Sequence, residues 1–68
     1  MFVQFLFPPK DGVRLNAIYN LQVLPRIGES VNRDGASYEV TVVEHHLNPK
    51  LVELDGKAVP CVATLRLR

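Results

Sequence analysis

Residues 38–47 read Tyr-Glu-Val-Thr-Val-Val-Glu-His-His-Leu, and this stretch decides the fold of the chain. Apolar side chains occupy alternate positions in its first half, namely Tyr38, Val40 and Val42. Successive side chains of an extended chain point to opposite faces, so these residues share one face. The stretch therefore predicts a long β-strand that turns this face toward the core.

The alternation fails in the second half of the stretch. Glu44 and His46 inherit the inward positions there, while Leu47 inherits an outward one. An extra residue on one strand of a pair, a β-bulge, moves the following side chains to the opposite face. We therefore expect a bulge or a strong bend near Val43 or Glu44.

The segments on either side have the pattern of partner strands. Residues 1–7 are rich in phenylalanine and too few for a stable helix, which favours a first strand. A short strand is expected around residues 29–33. Residues 58–68 alternate again and predict a last strand, with Cys61 and Leu65 on its inward face.

Residues 13–23 allow two interpretations. Their odd positions are all apolar, which favours a strand with one buried face. Ala17, Ile18, Leu21 and Leu24 also form a stripe with helical spacing, although the asparagines in the segment disfavour a helix. A strand is expected here, and a short helix remains the alternative.

Turn residues separate these segments. Asp34-Gly35 and Asp55-Gly56 favour hairpin turns, because glycine adopts a positive φ freely and aspartate tolerates it better than most residues. Residues 8–12, which contain two prolines, are expected to form a loop, and Asn48-Pro49-Lys50 is expected to form a turn.

The predicted strands number about five in 68 residues, which favours a small all-β barrel or a rolled sheet. Four parts of the chain also carry a resemblance: Leu-Pro-Arg-Ile-Gly-Glu-Ser-Val at residues 24–31, the following hairpin, residues 38–47 and the alternating residues 62–67. Together they resemble small SH3-like β-barrel proteins of bacteria and phages. The resemblance implies an all-β fold, with residues 1–68 as a single small β-barrel domain. That domain would be a five-stranded SH3-like barrel or a strongly rolled antiparallel sheet. The chain lacks the Ala-Leu-Tyr-Asp-Tyr type motif of eukaryotic SH3 domains, so a groove for proline-rich peptides is not expected.

Composition limits the possible functions. The chain has 68 residues, of which 47% are hydrophobic, and a domain of this size buries only about 60% of the surface of its unfolded chain. Self-association would add burial, so a homo-oligomer is one hypothesis. The balance of 8 basic against 7 acidic residues provides no general attraction to nucleic acid.

Location is predicted from two features of the chain. Cys61 is the single cysteine and has no partner for an internal disulfide, which favours a reducing compartment, the cytoplasm. The apolar residues 1–7 lack a basic segment before them and are far fewer than the ~20 residues of a membrane-spanning helix. Neither an export signal nor a membrane span is expected.

Two candidate binding surfaces follow from the strand pattern. Phe2, Phe5 and Phe7 exceed what one face of a small core covers, so their strand is either buried on both faces or part of a protein interface. Arg66 and Arg68 share an outward face, which Arg33 is in reach of, and such a basic face can bind nucleic acid. A solvated charged face is the alternative for these arginines.

Glu44, His45 and His46 form a weak polar cluster of residue types that bind metals and transfer protons. Adjacent strand residues point to opposite faces, so the two histidines are not expected to bind one ion together. Glu44 and His46 can share a face, but two ligands make a weak site. We expect a polar strand end, and we assign no catalytic residue, metal or cofactor. Cys61 is expected to be buried and structural rather than a nucleophile.

The function predicted from the sequence is a non-enzymatic interaction module. It would bind a protein partner or self-associate as a small accessory subunit or adaptor. The alternative is a small barrel that binds nucleic acid through Arg66 and Arg68.

Overall fold

A computed structural model describes all 68 residues and confirms the all-β fold. The strands are β1 (Phe2–Leu6), β2 (Asn16–Asn20), β3 (Ser30–Arg33), β4 (Ala36–Leu54) and β5 (Lys57–Leu67). They form a single five-stranded sheet in the order β2-β1-β5-β4-β3. The predicted number of strands is therefore confirmed.

The sheet is mixed, and in this respect the expected antiparallel arrangement is wrong. β1 pairs with β5 in parallel, whereas the other neighbouring strands pair antiparallel. Parallel neighbours need a long connection, and here the chain passes through β2, β3 and β4 between the two strands. β5 therefore lies at the centre of the sheet with a partner on each side.

The sheet rolls but does not close into a barrel. Its two outer strands, β2 and β3, are not paired with each other. The roll brings the β3–β4 hairpin over Phe7, whose ring lies 5.0 Å from that of Tyr38 and 4.9 Å from the guanidinium carbon of Arg33. Two unpaired strand edges remain, one on each side of the opening.

The predicted hairpin turns are present. Asp34 and Gly35 have φ values of 51° and 80°, and Asp55 and Gly56 have values of 52° and 76°. Positive φ at both central residues defines the type I′ turn, whose twist matches that of paired strands. Residues 8–12, expected as a loop, contain a third tight turn at Asp11-Gly12.

A bulge at Thr41 changes the faces of β4. Val40 pairs with Leu67 and Val42 with Arg66, so Thr41 has no partner of its own on β5. The shift occurs earlier than the position predicted near Val43 or Glu44. Val42, expected to face the core, is consequently 44% exposed, and Val43 packs against the core in its place.

A second irregularity lies farther along β4. His45 pairs with Ala63 and Lys50 with Cys61, so residues 46–49 lie opposite Val62 alone. The predicted turn at residues 48–50 is wrong, because this segment is part of β4 and lies in a bulge of four residues. Proline fits such a position since it has no amide hydrogen to contribute to the ladder.

Residues 13–23 contain a strand and no helix. The predicted strand is confirmed over Asn16–Asn20 and the helical alternative is wrong, although the strand is shorter than the alternating pattern. Val13 and Val23, at the two ends of the pattern, are 69% and 79% exposed.

One cluster of apolar side chains fills the concave face of the sheet. Three of its members come from the central strand β5 and one comes from β4. Two more lie in β1, and Phe7 follows that strand. The cluster consists of Val3, Phe5, Phe7, Val40, Ala63, Leu65 and Leu67. The inward face predicted for the last strand is therefore buried.

Replacement of a buried leucine should destabilise the fold more than replacement of an exposed leucine. Leu65 is fully buried, whereas Leu47 in the β4 bulge is 99% exposed. Leu65→Ala should lower the free energy of unfolding by about 2–5 kcal/mol, because the lost methyl groups leave a cavity. Leu47→Ala should change it by less than about 0.5 kcal/mol. Urea unfolding followed by circular dichroism measures both, and equal losses would contradict the placement of Leu65 in the core.

Candidate functional site

An apolar groove opens between β2 and β3, the two outer strands, which do not pair with each other. Its volume is about 270 Å³, and six of its nine lining residues are hydrophobic. Phe5 and Phe7 form its floor, and Val31 lies on the β3 side. We call this feature the β2–β3 groove. It exists because the two edges of the rolled sheet do not meet.

Residues that follow β2 form the opposite wall of the groove. Tyr19 lies near the end of β2, and Leu21, Val23 and Pro25 continue the wall along the loop toward β3. The amide of Leu21 donates a hydrogen bond of 2.7 Å to the carbonyl of Met1, which holds the start of this loop against β1. Val23 is 79% exposed despite lining the groove.

Aromatic rings hold the floor of the groove in place. The rings of Phe5 and Phe7 lie 6.4 Å apart, and the edge-to-face ring of Tyr19 lies 5.4 Å from Phe5. Contacts of this kind add about 0.5–1.5 kcal/mol beyond the burial of area. Phe5 and Phe7 are each only 2% exposed, so they form a rigid floor rather than a protruding patch.

The edge of β3 presents free backbone groups beside the groove. Arg33 and Ala36 flank the two-residue Asp34-Gly35 turn, so they form a hydrogen-bonded pair and the next pair, Asn32 with Ser37, does not. The backbone groups of Ser30 and Asn32 therefore point away from β4. Glu39, opposite Ser30, bonds instead to the backbone of Arg68.

Arg33 is the charged residue of the groove. Its guanidinium lies over the ring of Phe7, and its Nε lies 3.6 Å from a carboxylate oxygen of Asp34. That distance is longer than a hydrogen bond. Nη1 of Arg33 is buried and has no hydrogen-bond partner. The guanidinium thus rests over an aromatic ring, with part of its donor capacity unused.

The predicted protein interface is divided by the structure. Phe5 and Phe7 are buried in the core and contribute to the floor of the β2–β3 groove, while Phe2 is 40% exposed and points to the opposite face of β1. The strand is therefore mostly buried on both faces, since Gln4 between the phenylalanines is also buried.

The predicted basic surface is not assembled as one patch. Arg33 lies in the β2–β3 groove, and Arg68 pairs with Glu39. Arg66 lies on the convex face of the sheet, where it lines a small depression with Lys50. Arg33 therefore lies apart from Arg66, and the charge of Arg68 is paired with Glu39.

A hydrogen-bonded chain crosses the convex face of the sheet. Gln4 Nε2 donates to Asn16 Oδ1 over 3.2 Å, and Thr64 Oγ1 donates to Gln4 Oε1 over 2.9 Å. His46 Nε2 lies 2.8 Å from the same Thr64 oxygen. Because the single hydroxyl proton of Thr64 is directed to Gln4, the histidine must be the donor to Thr64. These side-chain hydrogen bonds thus join β2, β1, β5 and β4.

Within the predicted polar cluster, only Glu44 and His46 come together. Glu44 Oε1 lies 3.9 Å from His46 Nδ1, while His45 is exposed and pairs with Ala63 on the other face. No group of three or more histidine, cysteine, aspartate or glutamate side chains is placed to hold a metal ion. The main contact of His46 is Thr64, which makes it part of the hydrogen-bonded chain.

Cys61 is fully buried in β5. Burial raises the pKa of its thiol, and the nearby charge of Lys50 offsets part of this effect. A raised pKa leaves less of the nucleophilic thiolate at neutral pH, which is the opposite of what a catalytic cysteine requires.

The sequence did not indicate the loop wall of the groove or the polar chain. Alternation placed Val23 on the apolar face of a strand, and Arg33 was considered only as a residue within reach of the basic face. Thr64 adjoins the inward-facing Leu65, so alternation placed it on the outward face, and no face was assigned to Gln4. A glutamine within an apolar strand was the one available signal, since buried amides need hydrogen-bond partners.

Comparisons with models of known protein families, with curated proteins and with solved structures find no match to this chain. The chain also forms no helix with the length and apolar character needed to cross a membrane.

Loss of the Thr64 hydroxyl should destabilise the fold. Thr64→Val removes the acceptor of His46 and the donor to Gln4, and unpaired buried polar groups cost about 1–3 kcal/mol. Thr41 is a matched control, because its hydroxyl donates to the carbonyl of Arg66 at an exposed site. Thr41→Val should cost less than about 1 kcal/mol. Urea unfolding measures the free energy of unfolding of both variants. An equal loss in the two would contradict a stabilising role of the buried hydrogen bonds of Thr64.

Cys61 should react slowly with a thiol reagent in the folded protein. Burial blocks access and raises the pKa of the thiol, so modification at pH 8 should become many times faster in denaturant. The unfolded chain ionises first as pH rises, so this group should lower stability above its ordinary pKa. Equal rates of modification with and without denaturant would show that Cys61 is accessible.

Proposed function

We propose that this chain is a non-enzymatic protein-interaction module that binds an extended segment of a partner protein along the β2–β3 groove. The observation that carries the proposal is the combination of an apolar floor with a free strand edge. An extended segment would hydrogen-bond to the edge of β3 and place alternate side chains on the floor of the groove. This is the mode of recognition known as β-strand addition.

The backbone part of this interaction is supplied by β3. The free amide and carbonyl groups of Ser30 and Asn32 are spaced to pair with every second residue of an added strand. An unpaired edge beside an apolar surface favours association with another chain unless it is protected. The partner strand would provide that protection.

The side-chain part is supplied by the aromatic floor. A volume of about 270 Å³ is slightly below the range of about 300–1,000 Å³ that is usual for small-molecule sites. It suits one or two apolar side chains of a peptide. The buried, mutually packed rings of Phe5 and Phe7 would keep the same shape in the free and bound states, which lowers the entropic cost of binding.

The proposal also accounts for the open sheet. A strand added to β3 would extend the sheet toward β2 and bring it closer to the SH3-like barrel that the sequence resembles. The module would then be an incomplete barrel that a partner helps to close. An accessory subunit or adaptor, in the cytoplasm, is the role that we propose for it.

Nucleic-acid binding is the second hypothesis, and less supports it. Its remaining basis is Arg66 beside Lys50 on the convex face, because Arg33 lies in the β2–β3 groove and Arg68 is paired with Glu39. Binding of an oligonucleotide that weakens with salt and is lost in Arg66→Ala would favour this hypothesis.

Selection from a peptide library tests the proposed function. Peptides of nine random residues displayed on phage should yield binders to the folded protein. Val23→Glu should abolish their binding, because it introduces a negative charge at an exposed position of the groove wall. Val13→Glu is the matched control, since Val13 is similarly exposed but lies outside the groove.

Amide exchange locates the bound peptide. Exchange at Ser30 and Asn32 should slow when a selected peptide is bound, because these amides become hydrogen-bonded. Absence of binders, or binders insensitive to Val23→Glu, would overturn the proposal. Light scattering of the protein alone provides a further outcome: a dimer that Val23→Glu dissociates would show that a second copy occupies the groove instead.

A further inference from the structure

We infer that the segment bound in the β2–β3 groove carries a carboxylate, which pairs with Arg33, two residues away from an apolar side chain that covers the aromatic floor. This inference rests on the proposed function and specifies the chemistry of the partner. It is carried by the position of the Arg33 guanidinium and by the donor that has no acceptor within the chain.

The guanidinium of Arg33 is held at the wall of the groove by its contact with Phe7. Its central carbon lies 4.9 Å from the centroid of the Phe7 ring, within the range of a cation–π interaction. Because Phe7 is packed against Tyr38 in the core, the ring gives the cation a rigid support. The side chain is only 29% exposed, so the charge is partly removed from water.

No acidic group of the chain neutralises this charge well. Asp34 is the nearest, but it approaches Nε at 3.6 Å and its own side chain is 91% exposed. An exposed pair of this kind contributes little. The nitrogen Nη1 is buried without any acceptor, and a buried donor without a partner is unfavourable. The side chain as a whole is 29% exposed and lines the groove, so the guanidinium is accessible to a ligand there.

A carboxylate is the acceptor that fits this site best. The planar fork of arginine matches the two oxygens of a carboxylate, and their attraction is stronger beside an apolar surface than in water. Phosphorylated peptides are usually bound by clusters of basic residues. Arg33 is the single arginine lining the groove. A glutamate or aspartate side chain is therefore favoured over a phosphate.

Strand geometry determines the spacing of the two features. Alternate residues of an extended peptide point to the same side, about 6.6 Å apart at a rise of about 3.3 Å per residue. The guanidinium lies over the ring of Phe7, and the ring of Phe5 lies 6.4 Å from that of Phe7. A carboxylate bound to Arg33 and an apolar side chain over Phe5 therefore belong to residues i and i+2. The recognised pattern is apolar-x-acidic or its reverse, depending on the direction of the bound strand.

The test begins with the library-selected peptides that bind the groove. They should be enriched in an apolar and an acidic residue at positions i and i+2. For one such peptide, replacing the acidic residue by its amide should weaken binding about 10- to 100-fold, as expected for the loss of a charged hydrogen bond. Isothermal titration calorimetry measures the four combinations of each peptide with the wild type and Arg33→Gln.

The acidic and amide peptides should bind Arg33→Gln with equal affinity. Arg14→Gln is the matched control, because Arg14 is exposed and lies outside the groove, and it should preserve the full difference. Arg33→Lys keeps the charge without the fork and should retain only part of the difference. Circular dichroism verifies that each variant is folded.

The outcomes separate the inference from the proposed function. If no peptide binds the groove, the proposed function fails and the inference fails with it. If peptides bind the groove but the acidic and amide forms bind equally well to the wild type, the proposed function stands and the carboxylate is overturned. A phosphoserine peptide that binds more tightly than the acidic one would also overturn the carboxylate.

Discussion

The pairing of β4 with β5 is the interaction on which the rest of the structure depends. β5 lies in the middle of the sheet, with β4 on one side and β1 on the other, and it contributes the buried side chains of Ala63, Leu65 and Leu67. The two outer strands join the sheet through the neighbours of β5: β2 pairs with β1, and β3 pairs with β4. The two irregularities of β4 act on this pairing as well. The bulge at Thr41 turns Val43 toward the core, and pairing of β4 with β5 resumes after the four-residue bulge at residues 46–49.

The same sheet leaves the opening that we consider functional. Five strands roll far enough for Arg33 to cover Phe7, but β2 and β3 do not pair. The aromatic side chains that stabilise the core therefore also form the floor of an accessible groove. In the proposed module, Phe7 would contribute to both stability and binding, because its ring packs against Tyr38 and also supports the guanidinium of Arg33. The convex face is organised differently, by the polar chain from Asn16 to His46 that holds four strands together.

Much of the fold was predictable because it depends on local chemistry. The period of two in residues 58–68 and the Asp-Gly turns led directly to strands and hairpins that the structure contains. The errors lie where one residue changes the register. An inserted residue at Thr41 rather than near Val43 exchanged Val42 and Val43 between faces. Likewise, Asn-Pro-Lys at residues 48–50 has the composition of a turn, yet the ladder on either side holds it in β4.

The candidate site was predictable only in part. The sequence by itself determined the all-β class, the hairpin turns and the apolar character of Phe5 and Phe7, since these follow from φ preferences, side-chain alternation and hydrophobicity. Only the tertiary structure decided that β1 pairs in parallel with β5, that the sheet stays open, and that Arg33 meets Phe7 at the groove while Arg66 and Arg68 lie elsewhere. The physical reason is that those features depend on contacts between residues far apart in the chain, which no local pattern encodes.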